Sequence, residues 1–409
     1  MPPIAGCWQA FNALSCGLDV HQLMNERMDD TSPKNLVRLA PGLLDVGKPL
    51  PWPVFNENGQ LLVAQGHVIQ NEGQLERLYE LGRYDPPQRW ERPVLEEDTD
   101  VEALDDVDPF HEYGALLVEL ERMAASVASR EEDAQTKITS LAKRIHVLCR
   151  SDKDAALALI HVYSVKPTAY EQTLFHGILS WFMAQKLSLK KDQLVTLMAA
   201  AVTANLALLP YQDKLNQSRS TLTEAQREII RKHPERSARA LEAAGMENRV
   251  CLEVIRQHHE KSDGTGYPRG LKGDAIMKEA RIIAAAERYV AMITRRAYRS
   301  RCRADEALRS IIASATEPAD RAVVQALYKT LGRYPPGALV KLKNDETAVV
   351  IHRPKADKPV DVRVLLTAQG HPYLNPFPRD TEQDEWRVDR VVVPDVLPAL
   401  DLPALWGYG

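Results

Sequence analysis

The sequence predicts a mainly α protein: a helical bundle with a small α+β N-terminal domain and a small β-rich C-terminal appendage. Three observations predict it. Apolar residues recur at helical spacing from Phe110 to about Leu331. Ahead of that stretch, the turn dipeptide Asn58-Gly59 separates two short apolar runs. Behind it, after Pro335-Pro336-Gly337, the pattern becomes strand-like and rich in β-branched residues.

Each element follows in order. Residues 1–40 show no steady period and are expected to be poorly ordered. Residues 41–90 are expected to form the α+β domain. There Trp52-Pro53-Val54-Phe55 and Leu61-Leu62-Val63-Ala64 flank the turn, and Asn71 caps a short helix that ends at Gly82. Residues 91–109 are read as an acidic linker, because eight of the thirteen residues from Glu96 to Asp108 are acidic and such a run is solvated. Residues 110–165 form a helical connector: Leu116, Leu117, Leu120 and Met123 share one face, as do Ile138, Leu141, Ile145 and Leu148. Residues 166–334 continue as the main helical domain. Residues 335–409 are read as the β-rich appendage, with strands at 338–342, 348–351 and 362–366, another at 387–393, and a proline-rich, poorly ordered end.

Composition bounds the function. The chain has 409 residues, enough for two or three domains, with 44% hydrophobic and 26% charged residues. A net charge of -4 argues against a nucleic-acid partner, although a local arginine cluster can still hold phosphate. The five cysteines are scattered without CxxC spacing, which fits a reducing compartment and neither a zinc ribbon nor a disulfide framework. The N-terminus has no basic segment followed by an apolar run. The most apolar stretch, Gln193 to Pro210, is interrupted by Thr196, Thr203 and Asn205, so a buried helix is expected there rather than a membrane span. The expectation is a cytoplasmic protein without membrane contact.

The chemistry concentrates in His258-His259-Glu260-Lys261-Ser262-Asp263-Gly264-Thr265-Gly266-Tyr267-Pro268, continued by Arg269-Gly270-Leu271-Lys272-Gly273. Adjacent histidines at a helix end can turn both imidazoles into one pocket and ligate a metal. The glycines permit tight turning and close approach to a ligand or partner. Tyr267 offers an aromatic face on which a base can stack, and Pro268 stiffens the loop.

These residues resemble the HD-GYP family, whose signature HHExxDGxGYPxGLxG they match at eleven specified positions within sixteen residues. Flanking segments agree in order: Leu222-Thr223 through His233-Pro234, Ala284 to Tyr289, and Arg296-Ala297-Tyr298-Arg299. The resemblance covers about 160 residues. It implies an HD-type helical bundle, cyclic-di-GMP phosphodiesterase chemistry, and a centre of two or three divalent metals. By that likeness His176, His233, His258, His259 and Glu287 are the remaining metal-ligand candidates, Glu287 standing where the family has aspartate. Asp263, Gly264, Gly266, Tyr267, Pro268, Arg296 and Arg299 are the ligand-binding candidates, the two arginines alternatively being solvated surface.

One part of the pattern is missing. Where the family carries its namesake His-Asp pair, this chain reads Val202-Thr203-Ala204-Asn205-Leu206-Ala207, so Thr203-Ala204 replaces the pair and its metal-bridging carboxylate. No residue is therefore assigned a catalytic role. The implied cofactor is none, or a residual iron or manganese ion. The expected function is binding of a cyclic dinucleotide, or docking of a signalling protein such as a diguanylate cyclase, with a homodimer also open. The alternative is an active phosphodiesterase using substitute ligands.

Overall fold

The computed structural model describes residues 36–39, 44, 46–50, 52–84, 107–218, 221–296, 300–354, 359–393 and 400–408. The mainly α fold with a small sheet on either side is as expected.

The N-terminal unit contains β1 (Val37–Arg38), β2 (Val54–Phe55), β3 (Leu61–Val63), α1 (Glu72–Leu81) and β4 (Arg83–Tyr84). Its strands lie in the order β1-β4-β2-β3, all antiparallel. Strand β1 lies inside the stretch expected to be poorly ordered, so this unit begins before residue 41; residues 1–35 lie outside the described residues. Asn71 caps α1 by accepting from the Gln74 amide at 3.0 Å. Gly82 ends the helix for a different reason than a left-handed cap: its φ is -80°. A Cβ there would meet Leu39 Cδ1 at 2.7 Å and Val54 Cγ1 at 2.8 Å, so glycine is needed where α1 closes onto its own small core.

Most of the expected linker 91–109 is outside the described residues, but its last residues begin the bundle. Asp108 caps α2 (Pro109–Ser129) through the Phe110 amide, with Pro109 in the first turn. Then come α3 (Ala134–Ser151), α4 (Lys153–Val162), α5 (Ala169–Lys186), α6 (Lys191–Thr203), α7 (Leu209–Gln217), α8 (Glu224–Ala243), α9 (Arg249–Gln257), α10 (Lys278–Ile293), α11 (Ala304–Ser314) and α12 (Pro318–Leu331).

Helix α5 is the axis of the bundle. It is buried on every side from Ala169 to Ala184 except at Tyr170, as expected of a helix apolar around its circumference. It packs on α6, α10 and α12. Each fully buried Leu, Ile or Phe along it contributes about 1.5–3 kcal/mol. Its start is fixed by Glu171, whose carboxylate accepts from the Thr168 amide at 2.6 Å and from the Tyr113 hydroxyl of α2 at 2.7 Å. The connector thus holds the first turn of the helix that carries His176.

The C-terminal sheet is antiparallel, in the order β8-β7-β6-β5-β9, with β5 (Leu339–Leu342), β6 (Thr347–His352), β7 (Asp361–Leu366), β8 (Pro372–Arg379) and β9 (Val388–Val392). Strand β8 carries Pro372, Pro376 and Pro378, a pattern that an edge position tolerates because no outer neighbour needs the missing N–H groups. The chain end also departs from expectation. Instead of being wholly irregular, it forms α13 (Leu402–Trp406), with Trp406 against Phe110 at 4.9 Å and the Tyr408 hydroxyl donating to Asp152 at 3.0 Å. One buried apolar core runs from Phe110 through the bundle to Val364 and Trp406.

Candidate functional site

The site lies where the ends of α6 and α9 meet the middles of α5, α8 and α10. Each element brings one or two polar groups into apolar surroundings: His176 from α5, His233 from α8, His258 and His259 from the end of α9, and Glu287 from α10.

Local hydrogen bonds fix the tautomers. The Nδ1 of His233 lies 2.6 Å from the Ile230 carbonyl, and that of His258 lies 2.6 Å from the Ile255 carbonyl. A carbonyl only accepts, so both Nδ1 atoms carry a proton and both Nε2 atoms are turned toward the centre. Those two Nε2 atoms face each other at 3.2 Å. Burial, with His258 adding to it, pushes His233 down to about 3, so it is not protonated near neutrality and its Nε2 offers a lone pair. Burial likewise lowers His176 to about 4, and lowers His259 well below its ordinary value with help from His258.

The ligating atoms of His233, His258 and His259 lie within 4.8 Å of one another. Among the described residues this is the one such group of three. Glu287 stands beside it, its carboxylate 3.6 Å from His176, 3.9 Å from His258 and 3.7 Å from His259. The His176 Nδ1 is buried with no hydrogen-bond partner among the described residues. Imidazole nitrogens gathered this closely next to a carboxylate form a donor set that a divalent cation satisfies.

The helix end where the family pair is expected is chemically different. The Thr203 hydroxyl donates back to the Ala199 carbonyl at 2.5 Å and is fully buried; Ala204 is buried too. The polar group that reaches the centre from there is Asn205, whose Nδ2 donates to Glu287 Oε1. Sequence reasoning passed over Asn205. The available signal was that it is the polar side chain nearest the expected pair on an otherwise apolar helix end.

The loop after α9 folds back on itself. The Tyr267 amide donates to the His259 carbonyl at 3.2 Å, and the Tyr267 ring stacks on the His259 imidazole with centroids 4.8 Å apart. The Glu260 carboxylate accepts from the Arg269 and Leu271 amides at 2.7 and 2.9 Å. Gly266 allows this: a Cβ there would lie 2.5 Å from Glu260 Cα and 2.7 Å from Glu260 C. Its close approach is therefore to the loop's own backbone. Arg281 ties the loop to the bundle, donating to Ser262 and to the Gly273 carbonyl at 2.5 Å each and pairing with Asp320.

A cavity of about 1070 Å³ opens over the histidines. Asp263, Tyr267 and Arg296 line it, as do all five metal-ligand candidates. Asp263 spends one oxygen on the Thr265 amide and hydroxyl, at 2.8 and 2.7 Å. Gly264, Gly266 and Pro268 are not among the residues lining this cavity. Arg299 lies outside the described residues.

The family model described as the HD domain matches residues 158–323, the bundle that holds these groups. The bundle thus matches the HD-domain family, and the chain as a whole is similar to HD-GYP proteins. Among curated relatives, "Cyclic di-GMP phosphodiesterase PdeB" of Borreliella burgdorferi is 28% identical over 175 residues, covering 43% of this chain and 46% of that one. A cyclic di-GMP phosphodiesterase of Pseudomonas aeruginosa is 28% identical over 252 residues, covering 59% of each chain. The chain spans about half the length of the curated relatives it matches. A solved structure described as an HDG"Y"P protein from Bdellovibrio bacteriovorus shares the fold, with a TM-score of 0.52 at 17% identity, covering 72% of this chain and 99% of that one. No described helix is long and apolar enough to cross a membrane.

Proposed function

We propose that this HD-GYP protein is a cyclic-dinucleotide signalling protein that binds its ligand over a reduced metal centre and does not hydrolyse it. The observation that carries the reading is the exchange at the end of α6, where the neutral amide of Asn205 meets Glu287 and, among the described residues, α6 brings no carboxylate to the centre. A centre of the multinuclear kind needs a bridging carboxylate. Losing even a group that merely orients a ligand typically costs about 10–100-fold in metal affinity or activity, and losing the bridge costs more.

The remaining donors suit one divalent ion, held by His233, His258, His259 and Glu287 with His176 adjacent. Such an ion, iron or manganese by donor type, would supply a Lewis-acid contact to a phosphodiester oxygen. The protein's own part is to keep His176, His233 and His259 neutral by burial, stack Tyr267 over His259, and line the cavity with arginines that attract phosphate. The relatives named as cyclic di-GMP phosphodiesterases support the ligand class.

Metal analysis, calorimetric titration and a turnover assay on the purified protein test the reading together. The expected result is about one divalent ion per chain, binding of cyclic di-GMP, and no linear product with iron or manganese present. Product formation at a steady rate would establish hydrolysis instead, a reading that the gathering of four histidines and Glu287 favours. Absence of dinucleotide binding would leave docking of a signalling protein such as a diguanylate cyclase, which pull-down with that enzyme tests.

A further inference from the structure

The cavity has two chemically distinct faces. Helix α10 and the segment after it bring Arg281, Arg288 and Arg296 to its wall, whereas α7 brings two neutral amides, Gln212 and Asn216. The amides are coupled one helical turn apart: Gln212 Nε2 donates to Asn216 Oδ1 at 3.0 Å. That bond engages the Asn216 oxygen and leaves its NH₂ as the free end. This Nδ2 is buried and has no hydrogen-bond partner among the described residues. A buried donor without an acceptor is costly, and its natural partner is an acceptor on a bound ligand.

We propose that Gln212 and Asn216 form a base-reading subsite that selects guanine over adenine; the inference rests on the cyclic-dinucleotide reading above. Guanine offers two acceptors, O6 and N7, on one edge, whereas adenine offers N7 beside a donating amine. An asparagine whose oxygen is already engaged presents donors alone. Guanine O6 satisfies it, and the adenine amine would set N–H against N–H. The absence of charge on α7's pair suits an uncharged base, while the arginine face suits phosphate.

The test is calorimetric titration of the full-length protein with cyclic di-GMP, 3′3′-cyclic GMP-AMP and cyclic di-AMP. The native protein should bind them in that order of decreasing affinity. Asn216→Leu should weaken cyclic di-GMP about tenfold while leaving cyclic di-AMP nearly unchanged. Gln212→Leu frees the Asn216 amide to turn its oxygen outward, so it should retain binding and narrow the preference. Thermal unfolding of both variants checks that the fold is kept. Equal weakening of all three ligands by Asn216→Leu, or a native protein indifferent to the base, overturns the subsite alone. A native protein that binds none of the three overturns the subsite and the ligand reading together.

Discussion

Replacing Gly266 by alanine separates two roles for the glycine-rich loop, and the structure sets the size of the effect. The new Cβ would lie 2.5 Å from Glu260 Cα and 2.7 Å from its carbonyl carbon, and closer still to the Lys261 amide nitrogen. These are backbone atoms and cannot rotate away. Two relaxations are available. The loop can strain in place, which costs about 1–3 kcal/mol for an overpacked site. Or it can open, losing the Arg269 and Leu271 amide bonds to the Glu260 carboxylate, each about 1.5–3 kcal/mol as a hydrogen bond to a charged group. The cheaper path governs, so a destabilisation of about 1–3 kcal/mol is expected. Urea unfolding, followed by far-ultraviolet circular dichroism, measures it directly. In a thermal melt each kcal/mol shifts Tm by roughly 2 °C in a unit of this size. Unchanged stability combined with lost ligand binding would refute the reasoning, because the glycine would then serve the ligand and not the loop.

Three further outcomes are expected. Asn205→Asp places a second carboxylate beside Glu287, so bound manganese or iron per chain should rise and the metal-free protein should lose stability through like-charge contact; unchanged metal content would count against the reduced-centre reading. His258→Ala removes one of the two opposed Nε2 atoms and should weaken manganese binding by at least about tenfold in a titration. In the C-terminal sheet, the Arg379 guanidinium with Asn344 and Tyr373 holds Glu346 down to about 2, below the usual carboxylate value. A lowered carboxylate contributes stability above its unfolded value of about 4.3 and loses it as pH falls through the folded one. The gap in urea midpoint between the native protein and Glu346→Gln should therefore be full near pH 6 and shrink toward pH 2. A gap independent of pH would show that the ion pair is not its source.

Much of the bundle was legible because helical period and end signals are local. The motif from His258 to Gly273 also announced itself, as a linear signature. What sequence could not supply were meetings between distant residues. Asn205 matters only because α6 ends against α10, a contact across 82 positions. Tyr113 and Glu171 are 58 positions apart, so nothing in the connector's periodicity marked it as the holder of α5. The glycines marked tight turning and close approach without showing what is approached; at Gly266 the crowding comes from the loop's own backbone. The prolines of β8 and the proline-rich end concealed a strand and a helix, since edge pairing and packing on Phe110 override local preference.

The unbroken core from Phe110 to Trp406 bears on how binding would be detected. A molecule held only by the native state slows every opening that passes through global unfolding, by mass action and regardless of distance. Because β5 to β7 share buried side chains with the bundle, their slowest amides should exchange with deuterium in step with those of α5. Occupation of the histidine cavity would then be reported by protons in a sheet that never touches the ligand.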